Sequence, residues 1–561
     1  MSFAYTCFRV PGQRGGKRHL TSLATKINQI IASFPTVAPE ENSRSTANQR
    51  QQNLQKATRL RKSSDDNLAA RVSSKLEDGD VRGAIRLASS DDSIASFDDV
   101  TAASLRSKHP TRTMSDSPPT PPTPDQQCLQ LLESDILAAI KSFMPGSAGG
   151  LDGLRPQHLK DLTGASAGDA SRRLLAILTE FANVCLSGRV PEVIQPVFCG
   201  ASLCALSKKD GGIRPIAVGG TLRRLVAKAA CKVVMSKMAE KFAPVQIGFG
   251  VQRATEAAAH AARRYIHGLQ HGEGVLKMDF SNAFNSVHRD SIFEAVRDEL
   301  PELYTFIFMC YSNSSFLSFG EHLLLSDEGV QQGDPLGPLM FCLAALKLAR
   351  SMKSEFNTWY LDDGTIGGNV DNLIRDLETV RQLGSKIGLH INEHKCEIIT
   401  DDLEVAARIQ EVMPNIRRIQ RCEATLLGTS VATAGDETTS DNILIIKLME
   451  FERLAERLSA LNAHDALFLL KNCFSTPKLL YIMRTSPCFN SSVLTKYDNI
   501  IRNTLQSIIN VDLCDSAWNQ TSLFWWTFGE CVERQILRLG VFVVSGWFKP
   551  SVAAASSGTL P

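Results

Sequence analysis

Three aspartates carry the strongest chemical signal in this sequence. Asp279 follows the apolar run Val275–Met278, while Asp362 and Asp363 stand side by side between Tyr360-Leu361 and Gly364. Carboxylates are hard oxygen ligands. At strand ends they suit a pair of Mg²⁺ or Mn²⁺ ions about 4 Å apart, which activate an attacking hydroxyl and stabilise the leaving group in a displacement at phosphorus. The backbone carbonyl of Phe280 offers a further oxygen. Side chains alternate along a strand, so Asp362 and Asp363 point differently. Asp362 is expected to meet Asp279 across both metals, with Asp363 contributing less directly. Asp-Asp-Gly is also a common turn, and Tyr-x-Asp-Asp arises by chance in about 5% of chains this long. The pair therefore takes its weight from the elements around it.

Those elements are short buried strands with helical sequence nearby. Val275–Phe280 and Asn357–Leu361 read as strands, and the acidic pair reads as the tip of a hairpin. Upstream, an apolar run, the turn Lys208-Lys209-Asp210-Gly211-Gly212, the strand-like Ile213–Val218 and a basic helical segment Thr221–Phe242 give strand, turn, strand, helix. An α+β sheet with helices behind it follows. At 561 residues the chain exceeds one core. Residues 1–125 are rich in Ser, Asp, Arg and Gln and close on the Pro-rich Ser115–Asp125, so they are expected to form a flexible, partly helical arm and linker, with one or two short helices in Asn67–Ser90. Residues 126–440 are expected to be the main α+β body, 441–520 a helical region, and 521–561 a divergent tail.

Composition bounds the classes without naming one. With 61 basic and 59 acidic residues the net charge is +2, but Ala201–Lys241 holds nine Lys or Arg against two acids. Within it, the basic stretch from Arg223 to Lys241 reads as a surface that tracks a phosphate backbone. The 14 cysteines include no CxxC pair, and His260, His267, His271, His288 and His322 show no metal-ligand spacing. No apolar run nears the length that spans a bilayer. An intracellular protein, nuclear or cytoplasmic and not secreted, is expected, with no membrane partner.

From about Ser134 to Ser430 the chain resembles the reverse transcriptases of non-LTR retrotransposons. Gly149–Gly153 with Arg155–Leu162 is similar to the N-terminal extension of that family, and Ile213–Val218 to its fingers motif. Lys277–Val287 resembles motif A, Gly329–Phe341 motif B, Tyr360–Gly368 motif C, Gly388–Glu397 motif D and Leu426–Val431 the primer-grip hairpin of motif E. The resemblance implies a right-hand polymerase fold with fingers, palm and helical thumb, and RNA-directed DNA synthesis by two-metal nucleotidyl transfer. Its partners would be an RNA template, a DNA primer, dNTPs and a separate endonuclease.

It also implies roles. Phe284 falls where a bulky ring excludes a ribose 2′-hydroxyl. Gln332 and Gly333 open the segment that approaches nucleotide and template, the glycine allowing close backbone approach. Arg214 and Lys208 fall where cations hold the triphosphate, with Lys209 an alternative to Lys208; guanidinium suits phosphate. Lys395 falls where a general acid protonates the leaving pyrophosphate. Asn282 and Asn285 depart from the Lys and Asp that many relatives carry. The rival readings are an inactive retroelement remnant that binds nucleic acid and an RNA-dependent RNA polymerase. Phe284→Ala is expected to shift the ratio of kcat/KM for dNTPs over rNTPs toward rNTPs by roughly 10- to 100-fold in primer extension.

Overall fold

The computed structural model describes residues 64–89, 95–112, 119–123, 125–207, 211–432, 438–488 and 490–522. Contacts divide them into two compact units. One takes its residues from Asp91–Ala254 and His271–Arg418, the other from Arg61–Ser90, Thr255–Gln270 and the chain from Ile419. The units thus interleave in sequence and do not follow the linear boundaries at 125/126 and 440/441.

The first unit holds two sheets. The strands β1 (Ala201–Ser207), β2 (Ile213–Gly219), β4 (Ser315–Phe319) and β5 (His322–Ser326) are ordered β2-β1-β4-β5. β1 runs antiparallel to β2 and parallel to β4. The second sheet comprises β3 (Glu273–Met278), β6 (Phe356–Tyr360), β7 (Asp363–Asn369), β8 (Glu397–Ile399) and β9 (Arg417–Ile419), in the order β6-β7-β3-β8-β9. β3 lies between two partners, which explains its nearly unbroken apolar run: Val275, Leu276 and Met278 are all buried. The helix Gly337–Arg350 buries most of its length, including Leu339, Met340, Phe341 and Leu343. Apolar on every face, it can only be a core helix. The helices Arg289–Glu299 and Val370–Lys386 share the same core, each through one amphipathic face.

The expectation of a loose N-terminal arm is corrected for the described residues within it. Helix Asp99–Ser107 is capped by Asp98, whose carboxylate accepts from the Thr101 N–H at 2.8 Å. Its Ala102 and Leu105 are fully buried against Ala201, Leu203, Ala205, Ala217, Leu317, Phe319 and Leu324 of the β2-β1-β4-β5 sheet. Phe97 packs on Phe319 with ring centroids 4.7 Å apart. Composition hid this, because two buried side chains per short helix suffice when the facing strand offers alanines.

The second unit is helical, as expected for its C-terminal part. Helices Thr438–Ser459, Ala463–Leu469, Thr476–Thr485 and Ser492–Ile509 bury Leu444, Phe451, Leu454, Leu479, Ile482, Tyr497 and Ile501 together. Helices Ser64–Glu77 and Val81–Ser89 join that core through Val72, Ala84 and Ala88. The Ser73 hydroxyl donates to Asp465 at 2.7 Å, and Arg457 donates to the Ala88 carbonyl at 2.8 Å. A two-stranded hairpin, β10 (Thr425–Leu426) with β11 (Thr429–Ser430), turns through Leu427 and Gly428, both at positive φ. That is the primed turn whose twist matches antiparallel strands. None of the described helices is long and apolar enough to cross a membrane.

Leu276→Ala, at the centre of β3, is expected to lower unfolding stability by about 2–5 kcal/mol. The more exposed Leu323→Ala on β5 should change it by less than about 0.5 kcal/mol, both read from denaturant midpoints.

Candidate active site

The register of β3 on β7 brings the strand ends that carry the three aspartates side by side. The ladder ends with Met278 opposite Gly364. Carried one and two residues further, it sets Asp279 opposite Asp363 and Phe280 opposite Asp362. β6 and β7 close as a hairpin with Tyr360 opposite Asp363, leaving Leu361 and Asp362 as its two-residue tip. On the other side of Asp279 the chain pairs with residues 390–392. The Asn392 N–H donates to the Asp279 carbonyl at 2.8 Å, and the Ser281 N–H to the His390 carbonyl at 2.9 Å. In this antiparallel pattern Phe280 is the non-hydrogen-bonded partner of Ile391, which leaves its carbonyl free of residues 390–392.

Electrostatics agree with that juxtaposition. Burial pushes the Asp362 carboxyl above its ordinary value; the Asp279 charge adds to the rise and the nearby Arg214 guanidinium opposes it. Asp363 is pushed up to about 6 by burial, then by Asp362 and Asp279, against the pull of Lys277. Neither Asp362 nor Asp363 has an ion-pair partner among the described residues. Desolvated carboxylates that repel one another and raise their proton affinity fit a divalent cation. Carboxylate oxygens are hard donors, of the kind that suits Mg²⁺ or Mn²⁺. Among the described residues no three His, Cys, Asp or Glu side chains, Asp279, Asp362 and Asp363 included, stand close enough together to hold a metal ion.

Other nominated residues cluster around this centre. Arg214 projects from β2 and acts on Asp362. Phe284 is half-buried and stacks on Phe341, centroids 4.7 Å apart and planes 13° off parallel. The Gln332 carbonyl accepts from the Ala217 N–H of β2 at 2.8 Å, and its side chain reaches Asn285 at 3.4 Å. Gly333 has φ +136, and a Cβ there would lie 2.2 Å from the Ala217 carbonyl oxygen. Its smallness is thus required by the protein's own strand. Lys395 is exposed at the end of a short turn, three residues after the Asn392 that bonds to Asp279. Lys208 and Lys209 lie outside the described residues. Asn282 and Asn285 both donate to the Lys108 carbonyl, at 2.8 and 2.9 Å, and so tie the Asp279 loop to the N-terminal helix.

The basic helix Thr221–Phe242 engages several of its cations with the protein itself, one of them buried. Arg223, 3% exposed, pairs with Asp334 at 2.6 Å and donates to the Cys199 carbonyl and to Gln331. Arg224 bonds the Ala148 carbonyl, Lys228 lies over the Phe143 ring, and Lys237 and Lys241 pair with Glu302 and Glu299. A helix buried along several faces can keep its arginines only by pairing them. In the stretch from Arg223 to Lys241, Arg223 is thus a structural cation, while Lys232 and Lys237 stay exposed. Sequence reasoning also missed the Tyr311 hydroxyl on Asp334, at 2.7 Å, and a buried amide, Gln246, beneath the hairpin tip. Both partnerships are long-range and leave no periodic trace.

Residues 206–431 match the family model described as reverse transcriptase (RNA-dependent DNA polymerase). Over 371 residues, 63% of this chain and 30% of the relative, the sequence is 26% identical to the retrotransposable element SLACS 132 kDa protein of Trypanosoma brucei gambiense. Over 311 residues, 50% of this chain and 33% of the relative, it is 25% identical to the retrovirus-related Pol polyprotein from type-1 retrotransposable element R2 of Bradysia coprophila. The chain spans about a third of the length of these relatives. Apo telomerase from Candida tropicalis superposes with a TM-score of 0.35 at 13% identity, over 59% of this chain and 62% of that one, a likeness too loose to carry weight.

The raised Asp363 has a consequence for stability. Between its ordinary carboxylate value and about 6, the folded chain keeps the proton that the unfolded chain has lost, so stability falls as pH rises through that window. In metal-free protein Asp363→Asn is expected to raise the thermal midpoint at about pH 7.5, and the gap should close near pH 4. A midpoint unchanged or lowered at the higher pH would contradict the electrostatic account.

Proposed function

We infer, from the reverse transcriptase domain of non-LTR retrotransposon type that residues 206–431 form in an α+β right-hand polymerase fold, that this chain is an RNA-directed DNA polymerase. It extends a DNA primer with dNTPs on an RNA template, and a separate endonuclease supplies the nick. The observation that supports the reading is the β3–β7 register, which ends with Met278 opposite Gly364, so that Asp279 and Asp363 are the next residues on the two strands, beside the Asp362 tip.

Asp279, Asp362, Asp363 and the Phe280 carbonyl would hold two Mg²⁺ or Mn²⁺ ions, which activate the primer 3′-hydroxyl and screen charge on the triphosphate and departing pyrophosphate. The chain's own groups do the rest. Arg214, exposed on β2 within electrostatic reach of Asp362, receives the triphosphate; Lys208 would assist it. The Phe284 ring, braced by Phe341, forms a floor against which a 2′-hydroxyl clashes. Gln332, tied to Asn285 and to β2, orients nucleotide and template base. Lys395 gives its proton to the leaving pyrophosphate.

With poly(rA)/oligo(dT), dTTP and Mg²⁺, the chain is expected to extend the primer, and an Asp362→Asn, Asp363→Asn variant to lose about 10³-fold or more of kcat. Equal extension from both, or extension with rNTPs alone, would refute the assignment. No extension from either, with template-primer still bound, would favour a nucleic-acid-binding remnant.

A further inference from the structure

We propose that Gln246 is a positioning residue for the hairpin tip: its buried amide holds Leu361 in the left-handed conformation that presents Asp362. The inference rests on reading Asp279, Asp362 and Asp363 as the catalytic carboxylates.

Leu361 has φ +57. A side chain with a Cβ rarely adopts that conformation, and two-residue hairpin tips usually place Gly, Asn or Asp there. A leucine stays so only where its surroundings leave no alternative. Gln246 supplies the constraint. It is fully buried, and its Nε2 donates to the Leu361 carbonyl at 3.0 Å while its Oε1 accepts from the Leu361 N–H at 2.9 Å. Both backbone groups of one residue are thus held by one side-chain amide, which stands in for the peptide group of a neighbouring strand.

The rest of the segment completes the grip. The Trp359 N–H donates to the Val245 carbonyl at 2.7 Å, and the Ile247 N–H to the Trp359 carbonyl at 2.8 Å. Residues 245–247 therefore run beside the end of β6, and the Gln246 side chain carries that pairing two residues further to the tip. Oε1 also accepts from the Gly248 N–H at 3.0 Å, which fixes the amide's orientation. A Cβ at Gly248 would sit 2.4 Å from the Leu361 nitrogen, so only glycine lets the two backbones approach this closely. A purely space-filling residue would need none of these three bonds, and an apolar isostere could replace it.

The test uses the full chain with Gln246→Met, which keeps length and burial, Leu361→Gly, and the double variant. Gln246→Met is expected to lower kcat of primer extension by roughly 10- to 100-fold, with the dNTP KM within about twofold, and to weaken Mn²⁺ binding measured by electron paramagnetic resonance without nucleic acid by a similar factor. Leu361→Gly adopts the tip conformation without side-chain hindrance. In the double variant it should recover roughly tenfold of both losses. Deuterium exchange in the peptide spanning residues 356–365 should quicken in Gln246→Met. Unchanged Mn²⁺ affinity and exchange in Gln246→Met, or losses that Leu361→Gly leaves untouched, would overturn the proposal. If the parent chain extends no primer, the catalytic reading fails by itself, while metal affinity and exchange still decide the role of Gln246. Should Gln246→Met not fold, Gln246→Glu, which retains both acceptor bonds and loses the donor to Leu361, takes its place with the same outcomes.

Discussion

Mutual repulsion among three carboxylates is the constraint on which the rest of the architecture depends. Nothing in Asp279, Asp362 and Asp363 draws them together, so the attraction must come from elsewhere. It comes from six paired positions between β3 and β7, from the short bridge at residues 390–392, and from the apolar helix Gly337–Arg350 behind them. The sheet carries these carboxylates into one partly buried neighbourhood, where burial first and then the neighbouring carboxylates raise the proton affinity of Asp362 and Asp363. Rigid strand ends suit such a task better than loops, since an ion pair bridged by carboxylates tolerates little drift.

The second organising element is a buried polar network. Tyr311 lies between two buried arginines, with Arg223 and Arg289 centred 5.5 and 5.1 Å from its ring. Arg223 and the Tyr311 hydroxyl converge on Asp334, next to Gly333, and Arg289 gathers the carbonyls of Tyr311, Ser326 and Gly329. Each guanidinium fans out several donors in one plane, so each stitches together backbone segments that no single apolar contact could align. Fewer cations are left on this helix for a polyanion than a count of lysines and arginines indicates. Fewer bound counterions would accordingly be displaced on binding, and affinity would respond less to ionic strength.

What was legible in the sequence follows from range. The strands around Asp279 and Asp362 were legible because short apolar runs end in acids within a few residues. Helix Thr221–Phe242 was legible to its ends because Gly219-Gly220 precedes it and Pro244 follows. The order α+β body then helices was legible from hydrophobic period alone. Gln246 was not, because its partner is 115 residues away and a lone glutamine in a strand-like segment carries no signal. Arg223 was misread because a buried arginine and a solvated one look alike in a basic run. The helices within Asn67–Ser90 were legible from their period, but their packing and that of helix Asp99–Ser107 were not, because Val72, Ala84, Ala88, Ala102 and Leu105 are few and small and their partners lie far along the chain.

The packing of helix Asp99–Ser107 on the β2-β1-β4-β5 sheet bears on where this chain can be cut. The span that matches the family model begins at residue 206, inside β1, long after that helix. A fragment trimmed to that span would bare Leu317, Phe319 and Leu324 to water and leave the amides of Asn282 and Asn285 without the Lys108 carbonyl. Sticky sheet faces drive self-association, so the minimal recognisable sequence and the minimal soluble folding unit are different objects here.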